Sequence, residues 1–505
     1  MREETREHQP ASLLLPAWHR HTTTSFMASL KSLARDTAVY GVSSIVGRFL
    51  NYLLVPLYTA KIAAASGGYG VITNVYAYTA LLLVILTYGM ETTFFRFANR
   101  SDCDPQRVYG TVLTAVATTS LLFVVIILSF IGPISTAMGY ADHPSYIAVM
   151  AIVVALDAFQ CIPFAYLRYK KKAIKFAALK LLFIVMNIVL NVVAFVLMDV
   201  GDVGYAFYIN LVCTAAITLF FYKEIGFRWT FDRLLLRRML HYAWPILVLG
   251  IAGILNQTAD KILFPYVYKG TDAHAQLGIY GAASKIAMIM AMITQAFRYA
   301  YEPFVFGNGK DKSGDDGMQG KAMKYFVIFT LLAFLLVVGY MDILRYIIGR
   351  DYWEGLRVVP IVMAAEIMMG VYFNLSFWYK LTDKTIYGAY FSGAGCAVLI
   401  AVNILLVPRY GYMACAWGGV AGYGTAMLLS YFIGQRHYPI AYPLRDIGLY
   451  VVLAAVVFIA MTVAATATGG SPTLTATLHL GINTVLIAVY TLVIIKKEHI
   501  NIRRR

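Results

Sequence analysis

Apolar runs long enough to cross a bilayer, roughly 20 residues each, recur along almost the whole chain between short polar breaks. The stretches 111–131, 183–198 and 449–465 carry no charge at all. They lack the alternation expected of barrel strands. They therefore read as helices, which satisfy every backbone group within the segment. The pattern predicts spans near 37–61, 69–91, 109–131, 145–167, 173–198, 203–222, 240–268, 275–301, 322–341, 356–379, 386–407, 412–434, 446–466 and 473–495. This is an all-α polytopic membrane protein of about fourteen helices.

Composition agrees: the chain is 60% hydrophobic and 13% charged, where a soluble domain carries about 25% charge. The net charge of +16 raises nucleic acid as a partner. The basic residues instead sit in short loops between apolar runs, with no zinc finger or basic helix, so no nucleic-acid partner is expected. Of the 42 Lys and Arg, 31 fall on one side of the spans, 6 on the other and 5 inside. By the positive-inside rule both termini face the cytoplasm. Cys103, Cys161, Cys213, Cys396 and Cys415 show neither CxxC nor metal spacing and read as free thiols, most of them in apolar helices. Residues 1–26 read as a disordered tail or a misassigned start, with Met27 a plausible natural one. No loop on the charge-poor side is long enough to fold as a domain, the longest being 341–356. This argues against an external active site.

The two halves resemble each other. Pro56 matches Pro265, Gly70 matches Gly278, 94–97 matches 303–306, Tyr169-Lys170 matches Tyr379-Lys380, Asn191 matches Asn403, and Gly204-Tyr205 matches Gly411-Tyr412. The offsets run only from 207 to 212. The expected organisation is a cytoplasmic tail (1–36), a lobe of six helices (37–222), a cytoplasmic linker (223–239), a second such lobe (240–434), an appended helix pair (446–495) and a basic tail (496–505). Six being even, both lobes enter from the same side. They are parallel repeats about an axis along the membrane normal, an arrangement suited to rocking around a central site.

The motifs Asp36-Thr-Ala-Val-Tyr-Gly41, Arg48-Phe-Leu-Asn-Tyr-Leu-Leu-Val-Pro56, Tyr88-Gly-Met-Glu91-Thr-Thr-Phe-Phe-Arg96-Phe97 and Tyr280-Gly-Ala-Ala-Ser-Lys285 resemble the polysaccharide-transporter branch of the multidrug/oligosaccharidyl-lipid/polysaccharide (MOP) exporter superfamily, the Wzx-type flippases. The resemblance runs from about residue 30 to 495. It implies a two-lobe fold in the bacterial cytoplasmic (inner) membrane. It also implies a polyprenyl-diphosphate-linked oligosaccharide as substrate, carried to the outer leaflet for surface polysaccharide synthesis. Membrane lipids, a glycan polymerase and other polysaccharide-assembly proteins are the implied partners.

Charges inside spans are costly and need a reason. Ser44, Arg48, Asn51 and Tyr52 share one face of the first span. Arg48 suits a lipid diphosphate, because its planar donors pair phosphate oxygens bidentately; alternatively it pairs with Glu91. In the seventh span Asn256/Asp260 and Gln257/Lys261 form two i,i+4 pairs, and Asp260 is the repeat equivalent of Asn51. The plainer reading has Lys261 snorkelling to the outer face. Lys285 has no acid at i±4 and is the better cavity candidate, whereas Arg298 reads as a local partner of Glu302. Lys180 reads either as a cavity residue or as snorkelling to the basic loop. The expected substrate-binding set is Arg48, Asn51, Gln257, Lys261 and Lys285. Asp157 and Glu366, again 209 residues apart, join Asp260 and Glu91 as carboxylates able to take up H⁺ or Na⁺. They read alternatively as neutral, hydrogen-bonded structural acids.

The reading is a flippase working by alternating access, with no covalent catalysis, no metal and no cofactor beyond Na⁺ or H⁺ coupling. A lipid II flippase and a cation-coupled drug exporter are the nearest rivals. A membrane-embedded glycosyl or acyl transferase would need a catalytic divalent-metal site or a membrane His with polar neighbours; His479 sits in the appended fourteenth helix and His241 at the cytoplasmic mouth, and neither is expected to serve one. A non-transporting scaffold would not need polar residues on matched faces of two lobes.

Overall fold

A computed structural model describes residues 52–226, 230–308, 318–382, 384–467 and 472–498. Arg48, Asn51, the tail 1–36, the polar joint 310–317 and the basic tail past 498 lie outside the described residues, as does the Glu302 side chain. Among the described residues there is no strand, and each predicted span has a helix beneath it. Of the first span only residues 52–61 are described, and they hold α1 (Leu54–Lys61). It is followed by α2 (Gly68–Thr87, continued past a bend by Met90–Ala98), α3 (Pro105–Ser129), α4 (Pro144–Tyr169), α5 (Ala173–Val192), α6 (Gly204–Leu219) and α7 (Arg233–Val267). Then come α8 (Ala273–Asn308), α9 (Met318–Gly339), α10 (Val359–Leu375), α11 (Ile386–Tyr410), α12 (Tyr412–His437), α13 (Leu444–Ala467) and α14 (Pro472–Lys497). Eleven of these segments are long and apolar enough to cross a membrane, and α6 is a shorter apolar helix. The glycine-rich α12 is less apolar, because its small residues serve packing.

Local chemistry sets the ends. Asp104 caps α3, its carboxylate accepting from the backbone N–H of Gln106 and Arg107 at 3.1 and 3.3 Å. Pro105 fills the first turn, where its missing N–H costs nothing. The bend in α2 falls at Tyr88-Gly89, both at positive φ; only the glycine adopts that conformation without strain. The structure departs from the predicted spans at α7, which begins at Arg233 rather than near 240. Asp232 caps it, accepting from Leu235 N–H at 3.0 Å. Leu235 and Met239 then bury against Phe94, Tyr109 and Tyr166. The basic residues in this stretch made it look like a linker, but its apolar positions recur at helical spacing.

Two kinds of surface close the packing. Leu121, Val125, Val185, Val189, Val456, Ile459, Val485 and Leu492 stand exposed, as side chains facing lipid do. Inside, small residues let backbones touch. A Cβ on Gly395 would lie 2.6 Å from the Gly422 carbonyl oxygen, and one on Gly422 2.8 Å from that of Gly395. The small-residue run of α12 is thus a contact with α11 and not a ligand loop. Repeat-equivalent Asn191 and Asn403 also behave alike. Each turns its amide back to the carbonyl four residues earlier at 2.8 Å.

The core is asymmetric across the membrane. Toward the charge-poor side one apolar cluster joins both halves of the chain, from Leu54, Tyr58, Ile72 and Phe207 to Ile279, Tyr352, Val359 and Tyr412. Toward the basic side the packing divides. One cluster holds Phe94, Tyr109, Tyr166 and the start of α7, and another holds Phe164 and Phe221. Trp378 and Phe391 centre a third. The appended α13 and α14 pack on α9 through Phe326, Tyr450 and Tyr490.

Candidate functional site

The closed side is built by backbone contact. Gly70 of α2 and its repeat equivalent Gly278 of α8 face each other. A Cβ on Gly278 would stand 2.9 Å from Gly70 N, and one on Gly70 would run into the His274 carbonyl, 2.7 Å from its carbon. The segment after α9, two 3₁₀ stretches over Arg345–Ile347 and Arg350–Val358, reaches across to the first half. Gly349 N–H donates to Thr59 Oγ1 at 3.0 Å and Tyr352 OH to the Ile62 carbonyl at 2.8 Å. Tyr352 also packs edge-on against Tyr69, ring centroids 5.8 Å apart.

Behind this seal lies the polar strip of α7. Asp260 is buried and accepts from Tyr280 OH of α8 at 2.7 Å. Lys261 Nζ sits 2.9 Å from both carboxylate oxygens of Asp260 and donates to the Gln257 carbonyl at 3.0 Å. Side chains on a helix point toward its N-terminus, and the N-terminus of α7 lies on the basic side. Lys261 therefore turns into the membrane and does not snorkel outward. Gln257 is exposed on the same strip, while Asn256 is buried and donates to Ser392 O and Oγ of α11 at 2.9 and 3.2 Å. Tyr423 of α12 donates to the Asn256 carbonyl at 3.1 Å.

Two further charges stand near this pair. Lys285, one helical stretch beyond Tyr280, and Glu366 of α10 are half-buried, and both lie within electrostatic reach of Lys261. Among the described residues neither Lys285 nor Glu366 has a hydrogen bond or ion pair. Asp260 and Lys261 neutralise each other, so Lys285 is the cation left available to an anion.

The first half holds a separate polar set. Asp157 of α4 accepts from Thr214 Oγ1 of α6 at 3.5 Å and lies within electrostatic reach of Lys180 of α5 and Tyr76 of α2. The Lys180 ammonium stands 4.1 Å from the ring centroid of Phe164. The cation–π contact in the membrane accounts for Lys180 without a long reach to the loop. Glu91 is in an ion pair with Arg168, whose guanidinium also stacks 5.0 Å from the centroid of Phe95. Among the described residues its partner is thus on α4, at the basic end; the expected Arg48 pairing lies outside them. The acids expected to couple cations therefore stand apart: Asp157 in the first half, Asp260 and Glu366 in the second, Glu91 at the rim.

Sequence reading assigned no role in this site to the hydroxyls of Tyr280, Tyr423 and Ser392, nor to Asn74, whose amide donates to the Lys261 carbonyl at 2.7 Å, and Tyr140, which donates to Asn74 Oδ1 at 2.8 Å. A lone asparagine at position 74, inside an apolar run, was the available signal.

A family described as polysaccharide biosynthesis protein matches residues 66–356, more than half of the chain. The protein belongs to that family. No curated protein matches this chain. Its fold is that of the MOP superfamily of exporters. The structure of "Lipid II flippase MurJ, inward closed conformation" aligns with a TM-score of 0.72 at 12% identity, covering 90% of this chain and 98% of that one. An inward-facing MATE-family multidrug transporter of the MOP superfamily aligns at 0.62 and 14% identity, over 77% of this chain and 94% of that one. The MATE transporter DinF-BH in complex with R6G aligns at 0.57 and 16%, over 80% and 95%. At these identities the likeness is one of fold. For this member of the polysaccharide biosynthesis family, the named neighbours are transporters whose chains are matched almost end to end.

Proposed function

We propose that this protein flips a polyprenyl-diphosphate-linked oligosaccharide across the bacterial inner membrane by alternating access, with its basic face and both termini in the cytoplasm. The observation that carries this is Lys285, without a hydrogen bond or ion pair among the described residues, beside the Asp260–Lys261 pair and behind the contacts of Gly70, Gly278 and Tyr352 at the charge-poor face; in this reading these charges line the central cleft. An ammonium without a protein partner, held in a low-dielectric site, is expensive unless an anion visits it. A diphosphate headgroup entering from the basic side is such an anion. Arg48, on the first span, supplies a bidentate partner for the same group.

The MurJ-like fold favours a second reading in which the glycan is the peptidoglycan precursor. Both substrates present the same diphosphate, so the charged cleft suits either. Leaflet accessibility of labelled undecaprenyl-diphosphate oligosaccharide in vesicles containing the purified protein separates them. Movement of a surface-glycan precursor but not of lipid II supports the first reading, and the reverse supports the second. No movement of either lipid under any ion gradient removes both. Arg48→Ala is expected to cut transport by about tenfold or more while leaving the protein folded, as loss of a charge-assisted phosphate contact does.

H⁺ or Na⁺ coupling through Asp157 or Glu366 belongs to the same proposal. Asp157→Asn and Glu366→Gln keep shape and hydrogen-bonding capacity but cannot carry a charge. At least one is expected to abolish stimulation by an imposed ion gradient, with unchanged thermal stability in detergent. Full gradient response in both would take the coupling role from them.

A further inference from the structure

Pro265 lies in α7, which continues through it to Val267. A proline has no N–H, so the carbonyl four residues earlier loses its intrahelical donor. That carbonyl belongs to Lys261. In a membrane the orphaned group has no water to turn to, and leaving it unsatisfied is costly. The donor it finds comes from the other half of the chain: Asn74 Nδ2 of α2 reaches the Lys261 oxygen at 2.7 Å. Tyr140 OH donates to Asn74 Oδ1 at 2.8 Å. The two contacts fix the amide's orientation, since a carbonyl only accepts and the flipped amide would set oxygen against oxygen. Asn74 is buried, 1% exposed.

The bond sits in line with the seal. Gly70, one turn before Asn74 on α2, packs against α8. Tyr78, one turn after it, exchanges a hydrogen bond with Tyr266 of α7 at 2.8 Å. The residue whose carbonyl is held is also the one whose ammonium pairs with Asp260. Separation of α2 from α7 therefore exposes an unpaired carbonyl at the backbone of the cleft's own lysine.

We infer that Asn74 is a latch residue. Its amide, oriented by Tyr140, satisfies the Lys261 carbonyl that Pro265 leaves orphaned, and this bond biases the two halves toward closure at the charge-poor face. The inference rests on the two halves moving apart, as the proposed function requires, and not on which lipid is carried. Asn74 is a positioning residue, acting through the backbone of α7.

The test is a distance measurement without substrate. Spin labels are placed at Ser66 and Thr271, both exposed, one before α2 and one before α8, in a background with the five cysteines replaced by Ala. The ratio of long to short distances reports opening. Asn74→Leu is expected to raise that ratio about tenfold, the scale of losing a buried hydrogen bond whose partner stays unpaired. Pro265→Ala restores the N–H that Lys261 lacks, so it removes the cost of opening and raises the ratio in the same direction. Because both variants cancel one bond, the double variant is expected to open no further than either alone. Tyr140→Phe, which keeps the ring, is expected to give a smaller shift of the same sign. An unchanged ratio in both Asn74→Leu and Tyr140→Phe overturns the latch. Fully additive shifts for Asn74→Leu and Pro265→Ala overturn the shared carbonyl as its cause. Since the readout needs no lipid, failure of the flippase assignment would leave these outcomes intact.

Discussion

Gly70→Ala is expected to give a folded, membrane-inserted protein that no longer transports. The added methyl would run into the His274 carbonyl and stand 3.0 Å from Gly278 N. Both are backbone, so nothing flexible can swing aside. Forcing a methyl into a packed contact costs about 1–3 kcal/mol. Applied only to the state in which α2 and α8 touch, that cost lowers its population about 5- to 150-fold. Within α2 itself the change is favourable, since Ala is a better helix former than Gly by up to about 1 kcal/mol. Thermal stability in detergent should therefore hold or rise while transport fails, a separation that a simple folding defect does not produce. Gly278→Ala is expected to do the same more weakly, its Cβ standing 2.9 Å from Gly70 N. Gly132→Ala, with open space around its Cβ, is the control and should transport normally. Normal transport by Gly70→Ala would mean that the two helices need not approach this closely during the cycle.

Much of this was legible in the sequence, and the reasons differ by element. The spans were readable because the bilayer fixes helix length and excludes charge, two constraints that act on every helix separately. Gly70 and Gly278 were visible as repeat equivalents, yet nothing in one sequence says that the two positions touch. Contact across a pseudo-symmetry axis is a property of the assembled halves. Lys261 was recognised as a charge needing a reason, but its direction followed from the polarity of α7 together with a partner one residue away. An adjacent-residue ion pair is not a spacing that helical periodicity flags. Asn74 escaped because its purpose is set by Pro265, 191 positions along the chain. In the sequence the proline stands out only as the repeat match of Pro56, and nothing in one sequence leads from the carbonyl that it frees to a donor on another helix. The start of α7 was mistaken for a linker because charge outweighed periodicity there, although Leu235 and Met239 find a buried surface at Phe94.

The two lysines of the cleft are expected to fail in different ways, and the difference tests which one serves the substrate. Lys261→Met leaves the Asp260 carboxylate, its side chain 7% exposed, with Tyr280 as its remaining partner. Breaking a buried pair by removing one member costs about 3–5 kcal/mol. Lys261 keeps 23% of its side chain exposed, so the loss should lie at the lower end, about 3 kcal/mol. Asp260→Asn together with Lys261→Met removes both charges and is expected to recover most of that stability, the signature of a structural pair. Lys285→Met has no such cost, because among the described residues the ammonium has no partner to strand. It removes a desolvated charge from the membrane and should raise thermal stability. Its effect should appear in function: binding of a diphosphate-bearing lipid weakened by about tenfold or more, the scale of one lost charge-assisted contact. Lys285→Arg should restore part of that binding, since the charge is kept while the head grows into a planar fork. If Lys285→Met binds and moves the lipid as the native protein does while the stable Asp260→Asn/Lys261→Met variant cannot, the anion is held at Lys261. The Asp260–Lys261 pair would then have to open for substrate, which makes it part of the cycle and not only of the fold.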